Sequence, residues 1–323
     1  MGKKSVLVYG RLTDDQLAAL SQDFEVTLFS GTDLANDPAF REALKDAHGL
    51  VGVGLSITPE LLDAAPALEA IASISVGVDS YPIDELTRRG ILLCNTPDVL
   101  TETTADTGFL LIMATARRAV ELAEFIKRGD WQKGIGEAQF GIDVHGKTLG
   151  MVGLGRIGAA IARRGALGFG MKILYSNASL KPVLEAELGA SRCELDALLA
   201  ESDFVCITVP LTEDTEKLIG ARELGLMKPS AIFVNIARGK VVDEQALIAA
   251  LENDKIRAAG LDVFEHEPLP TDSPLLHMSN VVALPHIGSA TTETRDAMAQ
   301  RAVDNITLAL KGERPINPVN DCT

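Results

Sequence analysis

The chain has 323 residues, of which 46% are hydrophobic and 23% charged, a composition that is typical of folded proteins and excludes disordered or fibrous ones. Its length predicts two domains rather than a single hydrophobic core. Asp and Glu outnumber Lys and Arg by 45 to 30, and the resulting net charge of −15 repels nucleic acid phosphates and anionic lipid headgroups.

The cysteines are scattered without metal-ligand spacing, which fits a reducing compartment and argues against a zinc site: Cys94, Cys193, Cys206 and Cys322. They are interpreted as buried small hydrophobes. No 18 apolar residues run together, and the apolar run after the first lysines is too short for a signal peptide. We therefore expect a cytoplasmic protein with no nucleic acid, membrane or metal partner.

The first third of the chain alternates short β-branched runs with helical stretches, which is typical of βα units in a parallel sheet. The predicted strands cover 6–9, 26–29, 50–53, 70–75 and 91–94. A long helix is predicted over 101–128, with Thr103 and Asp106 as a capping box and Gly129 as its stop. Because its middle is apolar on all sides, it is a buried core helix, a connector of two domains or part of a dimer interface.

A second series of strands follows, and the predicted ranges are 149–152, 172–175, 204–208, 231–236, 258–263 and 281–284. Helices are predicted between them at 157–167, 182–188, 196–200 and 244–253. Six strands with helical crossovers indicate a Rossmann-type sheet. A final amphipathic helix is predicted over 291–311, and Gly312 ends it.

Three glycines lie between the first strand of this series and the helix that follows it. Gly153, Gly155 and Gly158 form a GxGxxG loop. In this context the first glycine permits a tight turn, the second lets the backbone approach a pyrophosphate, and the third allows the helix to pack on the strand. The loop therefore predicts a dinucleotide site.

The second strand of the series ends without the carboxylate that accepts hydrogen bonds from the ribose 2′-OH in NAD-preferring sites. Ser176, Asn177 and Ser179 stand there instead, with Lys181 nearby, and all four side chains can donate hydrogen bonds. Because nothing at this position repels a 2′-phosphate, the sequence predicts a preference for NADP(H) over NAD(H).

Hydride transfer to a carbonyl needs a proton donor, and His suits that role near neutral pH. Four of the five histidines have sequence surroundings that favour the surface: His48, His145, His266 and His277. His286 instead lies just past the end of an apolar strand, where open α/β sheets bind ligands. Arg238 and Glu267 follow two other predicted strands. Taken singly, each is better explained by a structural role than by catalysis, and it is their joint placement at strand ends that favours a site.

Six stretches carry a family resemblance: 73–79, 96–106, the glycine loop, 235–243, 260–268 and 285–291. In them the chain resembles the D-isomer-specific 2-hydroxyacid dehydrogenase family from end to end. Within that family it is similar to the bacterial glyoxylate/hydroxypyruvate reductases, also known as 2-ketogluconate reductases. The resemblance implies NAD(P)H-dependent reduction of small 2-oxo acids, such as glyoxylate, hydroxypyruvate and 2-keto-D-gluconate, to D-2-hydroxy acids.

The resemblance also implies roles for the residues at the strand ends. His286 would donate the proton to the keto oxygen, Glu267 would orient the imidazole, and Arg238 would hold the carboxylate and polarise the carbonyl. The backbone N–H groups of Val76 and Gly77 would bind the rest of the carboxylate. The implied substrate contacts are Leu55, Val76, Gly77, Arg238 and His286.

For the cofactor, the resemblance places Arg156 beside the pyrophosphate and Asp262 near the nicotinamide carboxamide. The implied cofactor contacts are Thr104, Gly153, Gly155, Arg156, Ile157, Gly158, Ser176, Asn177, Ser179, Val209, Pro210, Ile236, Ala237, Arg238, Asp262, His286, Gly288 and Ser289. The implied fold is two Rossmann-like or flavodoxin-like α/β domains with parallel sheets. A substrate domain of 1–99 plus 291–323 would surround an inserted NAD(P)-binding domain of 100–290, with the active site in the cleft between them.

The resemblance further implies a homodimer with the helix from Thr101 at its interface. The chain has Gln139 and Phe140 where close relatives often carry Trp followed by an aromatic residue. An aromatic residue there can reach towards the pocket of the neighbouring subunit. Gln139 would make that wall of the pocket more polar, which suits a polyhydroxylated acid. Two other functions stay open: a nucleotide-sensing corepressor or scaffold on the same fold, which the intact Arg238, Glu267 and His286 disfavour, and a formate dehydrogenase-like enzyme, which typically has Gln in place of Glu267.

Overall fold

The computed structural model describes residues 2–31 and 33–322, and the chain divides into two compact units. The first unit comprises Met1–Leu100 and Ala290–Thr323, and the second is the continuous segment Thr101–Ser289. Each unit contains one sheet, and all the strand pairs of both sheets are parallel. The predicted α/β class with two parallel sheets is therefore confirmed. Among the described residues, no helix has the length and apolar character needed to cross a membrane.

The first unit has a five-stranded sheet in the order β2-β1-β3-β4-β5. Its strands are β1 (Ser5–Val8), β2 (Glu25–Leu28), β3 (Ala47–Gly52), β4 (Ala70–Ser73) and β5 (Leu92–Cys94). Its helices are α1 (Asp14–Asp23), α2 (Pro38–Leu44), α3 (Pro59–Asp63), α4 (Ile83–Arg88) and, from the chain's end, α12 (Thr292–Leu310). Helices α1 to α3 begin where a Thr or Asp side chain accepts a backbone N–H of the first turn, as helix N-termini require.

The last helix packs closely on the first sheet at a glycine, Gly49 of β3. A Cβ on Gly49 of β3 would lie only 2.9 Å from the Leu310 side chain and 3.1 Å from that of Ile306. The buried Asn305 amide donates to the Asn95 carbonyl and accepts from the Asn317 N–H. Apolar packing and these hydrogen bonds thus join the two separate pieces of the chain into one unit.

The second unit has a seven-stranded sheet in the order β12-β11-β10-β9-β6-β7-β8. Its strands are β6 (Thr148–Val152), β7 (Lys172–Ser176), β8 (Ser191–Arg192), β9 (Phe204–Ile207), β10 (Ile232–Asn235), β11 (Ala258–Leu261) and β12 (Val281–Ala283). Its helices are α5 (Thr101–Ala116), α6 (Ala119–Lys127), α7 (Arg156–Arg163), α8 (Pro182–Leu188), α9 (Leu195–Glu201), α10 (Ala221–Leu226) and α11 (Glu244–Glu252). Strands β9 and β10 are buried on both faces, as expected of a sheet covered by helices.

The prediction of one long helix over 101–128 was wrong. Two helices lie there, separated at Arg118, whose φ of 53° is left-handed and ends the helical path. The Arg118 guanidinium is held by Glu121 and by the Ala138 carbonyl. The predicted capping box was also wrong, because α5 begins at Thr101 and the Asp106 carboxylate binds Arg164 instead.

Two further expectations need correction. The second sheet has seven strands rather than six, because the two-residue strand β8 pairs with β7 and was too short to show an apolar pattern. Of the four cysteines, Cys94 and Cys206 are buried as expected, whereas Cys193 and Cys322 are half-buried. Burial raises the pKa of the Cys94 and Cys206 thiols to about 12.

Candidate active site and cofactor site

Three predicted residues follow three adjacent strands of the second sheet. Arg238 comes after β10, Glu267 after β11 and His286 after β12. Because these strands are parallel neighbours, their carboxyl ends meet at one edge of the sheet, which is where open α/β sheets bind ligands. The structure therefore brings together residues that lie 48 positions apart in the chain.

The turn that carries Arg238 is held by its own strand. The Asn235 side chain accepts a hydrogen bond from the Ala237 N–H and donates one to the Arg238 carbonyl, each at 3.0 Å. The next residue, Gly239, lies against the backbone of the turn after β11, since a Cβ there would be 1.8 Å from the carbonyl carbon of Phe264. Only glycine allows the Arg238 turn to pack this closely on the turn that leads to Glu267.

His286 and Glu267 form the closest ionisable contact of the site. The Nδ1 atom of His286 lies 2.6 Å from Oε2 of Glu267, while Oε1 of Glu267 accepts from the Phe264 N–H. Both oxygens of this carboxylate are therefore engaged, which fixes its orientation. Because Nδ1 is bound to the carboxylate, Nε2 is the imidazole nitrogen left for a ligand.

Charges around Glu267 show how the three residues cooperate. Partial burial raises the pKa of the Glu267 carboxyl, but hydrogen bonds from His286 and the Phe264 N–H, with the positive charges of His286 and Arg238, outweigh burial and lower it overall. The carboxylate is thus ionised at neutral pH. Since the Arg238 charge acts on Glu267, guanidinium, carboxylate and imidazole belong to one electrostatic cluster.

A second carboxylate anchors the loop that carries His286. Asp262 directly follows β11 and is almost fully buried. Its two oxygens accept the backbone N–H groups of Ile287 and Gly288, at 2.7 and 2.8 Å. Burial raises the pKa of Asp262, although these two hydrogen bonds oppose the rise. Asp262 therefore fixes the backbone directly after His286, whose own φ of 53° is left-handed.

The glycine loop fits a dinucleotide pyrophosphate. Gly153 has a φ of 92°, and a Cβ on Gly158 would lie 2.5 Å from the Gly153 carbonyl oxygen, so the first and third glycines are required by the turn and the packing of α7. A Cβ on Gly155 would meet nothing within 4 Å, which leaves open space at the N-terminus of α7. Backbone N–H groups facing open space at a helix start are suited to an anion.

The remaining predicted cofactor residues lie in the second unit, most of them around these two features. Val209 packs against Gly153, and the buried Thr104 lies beneath Gly288. The other predicted contacts are found in the loops and helix starts that connect a strand to the next element: Arg156, Ile157, Pro210, Ile236, Ala237 and Ser289. All of these segments follow strands of the same parallel sheet, so they lie at one edge of it.

The stretch predicted to face the ribose is ordered by its own side chains. Asn177 accepts from the Leu154 N–H of the glycine loop and donates to the Ser179 carbonyl and hydroxyl. The amide of Asn177 is thus used in shaping the loop. A cation missed by the sequence analysis, Arg192, also contacts this loop. Only the pairing of β8 with β7 places it there.

The predicted substrate residues outside this unit lie in the first one. The carbonyl of Val76 accepts from the Asn95 amide, and the carbonyl of Gly77 accepts from the Ser75 hydroxyl. These bonds fix the loop through its carbonyl oxygens and do not use the N–H groups of Val76 and Gly77. The Leu55 side chain, expected to line a pocket, is buried in the first unit's own hydrophobic core.

Comparison with known proteins gives consistent results. The family model described as "D-isomer specific 2-hydroxyacid dehydrogenase, NAD binding domain" matches residues 109–288. The chain is 52% identical over 318 residues to a glyoxylate/hydroxypyruvate reductase B of Yersinia pestis (strain Pestoides F), covering 98% of each chain.

Solved structures agree with this result. An NADPH-dependent glyoxylate/hydroxypyruvate reductase from Sinorhizobium meliloti, in complex with NADP and malonate, is 34% identical with a TM-score of 0.88, covering 99% of this chain and 98% of that one. The D-lactate dehydrogenase of Aquifex aeolicus, complexed with NAD and lactic acid, is 29% identical with a TM-score of 0.86, covering 98% of both chains.

The chain belongs to the D-isomer specific 2-hydroxyacid dehydrogenase family. The predictions of this family, of an oxidoreductase and of an NAD(P) cofactor are therefore confirmed.

Proposed function

We propose that the chain reduces glyoxylate and hydroxypyruvate, and also 2-keto-D-gluconate, to the D-2-hydroxy acids with NADPH as the preferred donor. The observation that carries the proposal is the cluster of Arg238, Glu267 and His286 at adjacent strand ends of the sheet that also bears the glycine loop. The names of the relatives support the first two substrates. The lack of a carboxylate after β7 supports NADPH.

Held by the glycine loop at Gly153, Gly155 and Gly158, a nicotinamide cofactor would supply the hydride that reduces the keto carbon, and the chain's own residues would bind the acid and supply the proton. The developing alkoxide takes its proton from Nε2 of His286, because Nδ1 is held by Glu267. The ionised carboxylate stabilises the protonated imidazole before the transfer and keeps its ring oriented. Asp262, by binding the Ile287 and Gly288 N–H groups, keeps the backbone of this donor in place.

Arg238 binds the 2-oxo acid through its carboxylate and keto oxygen. A guanidinium offers several N–H donors in one plane, so the same group can hold the anion and polarise the carbonyl under attack. The N–H groups of Val76 and Gly77 complete the carboxylate site in this proposal. Such local donors are needed because the net charge of −15 repels an anionic substrate at long range.

Replacement of the proton donor tests the assignment. His286→Ala is expected to lower kcat by two to four orders of magnitude, roughly the range for loss of a general acid. The Kd for NADPH, measured by fluorescence titration, should change by less than about threefold, because the pyrophosphate site is elsewhere on the sheet. The matched control is His266→Ala, which replaces an exposed histidine that lies earlier in the chain between Glu265 and Glu267, and it should keep wild-type turnover.

The substrate assignment is tested by following NADPH and NADH oxidation with each of the three 2-oxo acids. Turnover of glyoxylate or hydroxypyruvate by wild type and its loss in His286→Ala support the proposal. Wild-type turnover in His286→Ala would remove the histidine from the mechanism. Binding of NADPH without turnover of any 2-oxo acid would instead indicate a nucleotide-sensing protein.

We also propose a homodimer formed through the second unit. Large exposed side chains concentrate in and after α5 and α6: Leu110, Val120, Ile126, Trp131, Ile135 and Phe140. Trp131 is 60% exposed and Ile135 is 59% exposed. Apolar side chains gathered on one surface segment are typical of protein interfaces. Gln139, proposed to line a neighbouring pocket, uses its amide oxygen to accept the Gly136 N–H of its own turn.

The mass in solution tests this interface. Wild type is expected to elute as a dimer in light-scattering chromatography, and the double variant Trp131→Glu, Ile135→Glu as a monomer, because two buried charges are costly to desolvate. Leu28→Glu is the control, since Leu28 is equally exposed but lies on β2 of the first unit. A dimeric double variant would show that the segment is not the interface.

We also propose a cytoplasmic location. It is supported by the four cysteines, all of which are free thiols, as expected in a reducing compartment.

A further inference from the structure

Arg192 lies at the carboxyl end of the sheet although nothing in its sequence context indicates a ligand. It is the second residue of the two-residue edge strand β8, which pairs in parallel with β7 so that Arg192 is opposite Tyr175. The next residue, Ser176, is the last residue of β7. It begins the stretch 176–179, which was predicted to face the ribose. Arg192 therefore stands beside the position where dinucleotide-binding sheets recognise the adenosine ribose.

The Arg192 side chain contacts this stretch directly. Its Nε donates to the Asn177 carbonyl at 3.1 Å and its Nη2 to the Ala178 carbonyl at 3.5 Å. Among the described residues, the Arg192 guanidinium forms these two hydrogen bonds and no ion pair with a carboxylate. A guanidinium has five N–H donors, so most of its donor capacity remains for a ligand. The side chain is exposed to solvent.

The loop that Arg192 contacts is preorganised. The Asn177 side chain binds the Leu154 N–H of the glycine loop on one side and Ser179 on the other. The backbone that carries the Ser176 and Ser179 hydroxyls is thereby fixed relative to the pyrophosphate loop. A dinucleotide whose pyrophosphate lies on the glycine loop has its adenosine ribose next to this segment in a Rossmann-type sheet.

The charges of this corner also favour an anion. Asn177 occupies the place of the acid that excludes a 2′-phosphate from NAD-preferring sites. The nearby Glu185 carboxylate is engaged by the Tyr175 hydroxyl, which in turn accepts the Lys181 N–H. Arg192 therefore adds to this corner a positive charge that has no ion-pair partner among the described residues, although the chain as a whole has a net charge of −15.

We propose that Arg192 is the residue that recognises the 2′-phosphate of NADP(H) and so sets the preference for it over NAD(H). The Ser176 and Ser179 hydroxyls assist as neutral donors. This inference rests on the proposed function, since it presumes that the second unit binds a dinucleotide. Arg192 touches the cofactor far from the reacting carbon, so it affects binding and not proton transfer.

Equilibrium binding of two half-cofactors tests the inference without relying on activity. Isothermal titration with 2′,5′-ADP and with 5′-ADP measures the contribution of the 2′-phosphate alone. We expect wild type to bind 2′,5′-ADP at least tenfold more tightly than 5′-ADP. In Arg192→Met this ratio should fall by ten- to a hundredfold, because a hydrogen bond to a charged group contributes about 1.5–3 kcal/mol and tenfold corresponds to about 1.4 kcal/mol.

Two further variants separate charge from fold. Arg222→Met removes the charge of another exposed arginine, on α10, and should keep the wild-type ratio. Arg192→Lys keeps the charge but not the planar donor set, and should restore part of the ratio. In kinetics, Arg192→Met is expected to raise the KM for NADPH about tenfold or more, with kcat within about twofold of wild type.

Each outcome has one meaning. An unchanged ratio in a folded Arg192→Met would overturn the assignment of Arg192 while leaving the proposed reductase intact. An equal loss in Arg222→Met would show a general charge effect and would also overturn it. If wild type bound neither half-cofactor nor NADPH, the proposed function itself would fail.

Discussion

At the scale of single residues, carboxylates in this acidic chain differ by what they contact. Glu267 and Asp262 share one edge of the second sheet, yet the pKa of Glu267 is lowered and that of Asp262 is raised. Burial raises both, but Glu267 also receives the hydrogen bond from His286 and the charge of Arg238. The partly exposed Glu267 carboxylate is therefore ionised and pairs with His286, while the buried Asp262 carboxylate accepts two backbone N–H groups.

Asp203 gives a residue-scale prediction about stability. It precedes β9 and accepts from the Thr148 N–H at the start of β6 and from Lys228, at 2.9 and 2.8 Å. Burial raises its pKa, but these two bonds outweigh burial and lower it overall. A lowered pKa stabilises the fold at pH values above the unfolded carboxyl's ordinary value of about 3.9, and this stabilisation is lost as pH falls through the folded-state value.

Asp203→Asn is therefore expected to lower the free energy of unfolding by about 1 kcal/mol at pH 7. The difference from wild type should shrink towards pH 3, where the wild-type carboxyl also loses its charge. Urea unfolding at pH 7, 5 and 3 measures it, with Asp254→Asn, an exposed residue in a turn, as the control. A difference that is constant with pH would show that charge is not the cause.

At the scale of elements, the site depends on how the turns after β10 and β11 pack on each other. The backbone of Gly239 touches that of Phe264, and Glu267 binds back to the Phe264 N–H. Arg238 and Glu267 are thus positioned by contact between two turns as well as by their own strands. Asp262, which follows β11, accepts hydrogen bonds from the turn after β12 and so joins the turn that carries His286 to the other two.

Gly239→Ala is expected to lower the free energy of unfolding by about 3 kcal/mol, since the added Cβ overlaps backbone atoms that no side-chain movement can clear. The kcat/KM for 2-oxo acids should fall at least tenfold because Arg238 moves with its neighbour. Thermal unfolding and steady-state kinetics provide the measurements. Gly225→Ala on α10, where a Cβ meets nothing within 4 Å, is the control and should be neutral or stabilising. Full activity in Gly239→Ala would contradict the packing argument.

At the scale of the whole molecule, each unit has its own sheet and its own core, but only the second is continuous in the chain. The first sheet is covered on one side by α12, which comes from the far end of the chain and contacts β3, β4 and β5. The second unit can therefore form from one continuous segment, whereas the first needs both ends of the chain.

A fragment of residues 101–289 is expected to unfold cooperatively and to bind 5′-ADP. A fragment of residues 1–100 should lack a cooperative transition, because loss of α12 exposes the apolar side chains that Ile306 and Leu310 cover. Circular dichroism against urea measures both. Adding a 290–323 peptide in excess to the 1–100 fragment should restore a transition, and a stable 1–100 fragment alone would show that α12 is dispensable.

The sequence by itself determined the features that depend on neighbours along the chain. Apolar runs predicted most strands, the GxGxxG loop predicted the dinucleotide site, and the motifs that follow the strands predicted the family. Contacts between distant segments were decided by the tertiary structure. They include the break at Arg118, where a side chain reaches the Ala138 carbonyl, and the placement of Arg192 beside Asn177. Neither leaves a local pattern, because each depends on hydrogen bonds formed only after strands or turns have packed. The charge of the protein is divided between sequence and fold in the same way. Composition establishes the net charge of −15, whereas the fold decides where individual arginines lie and so where an anion can be attracted.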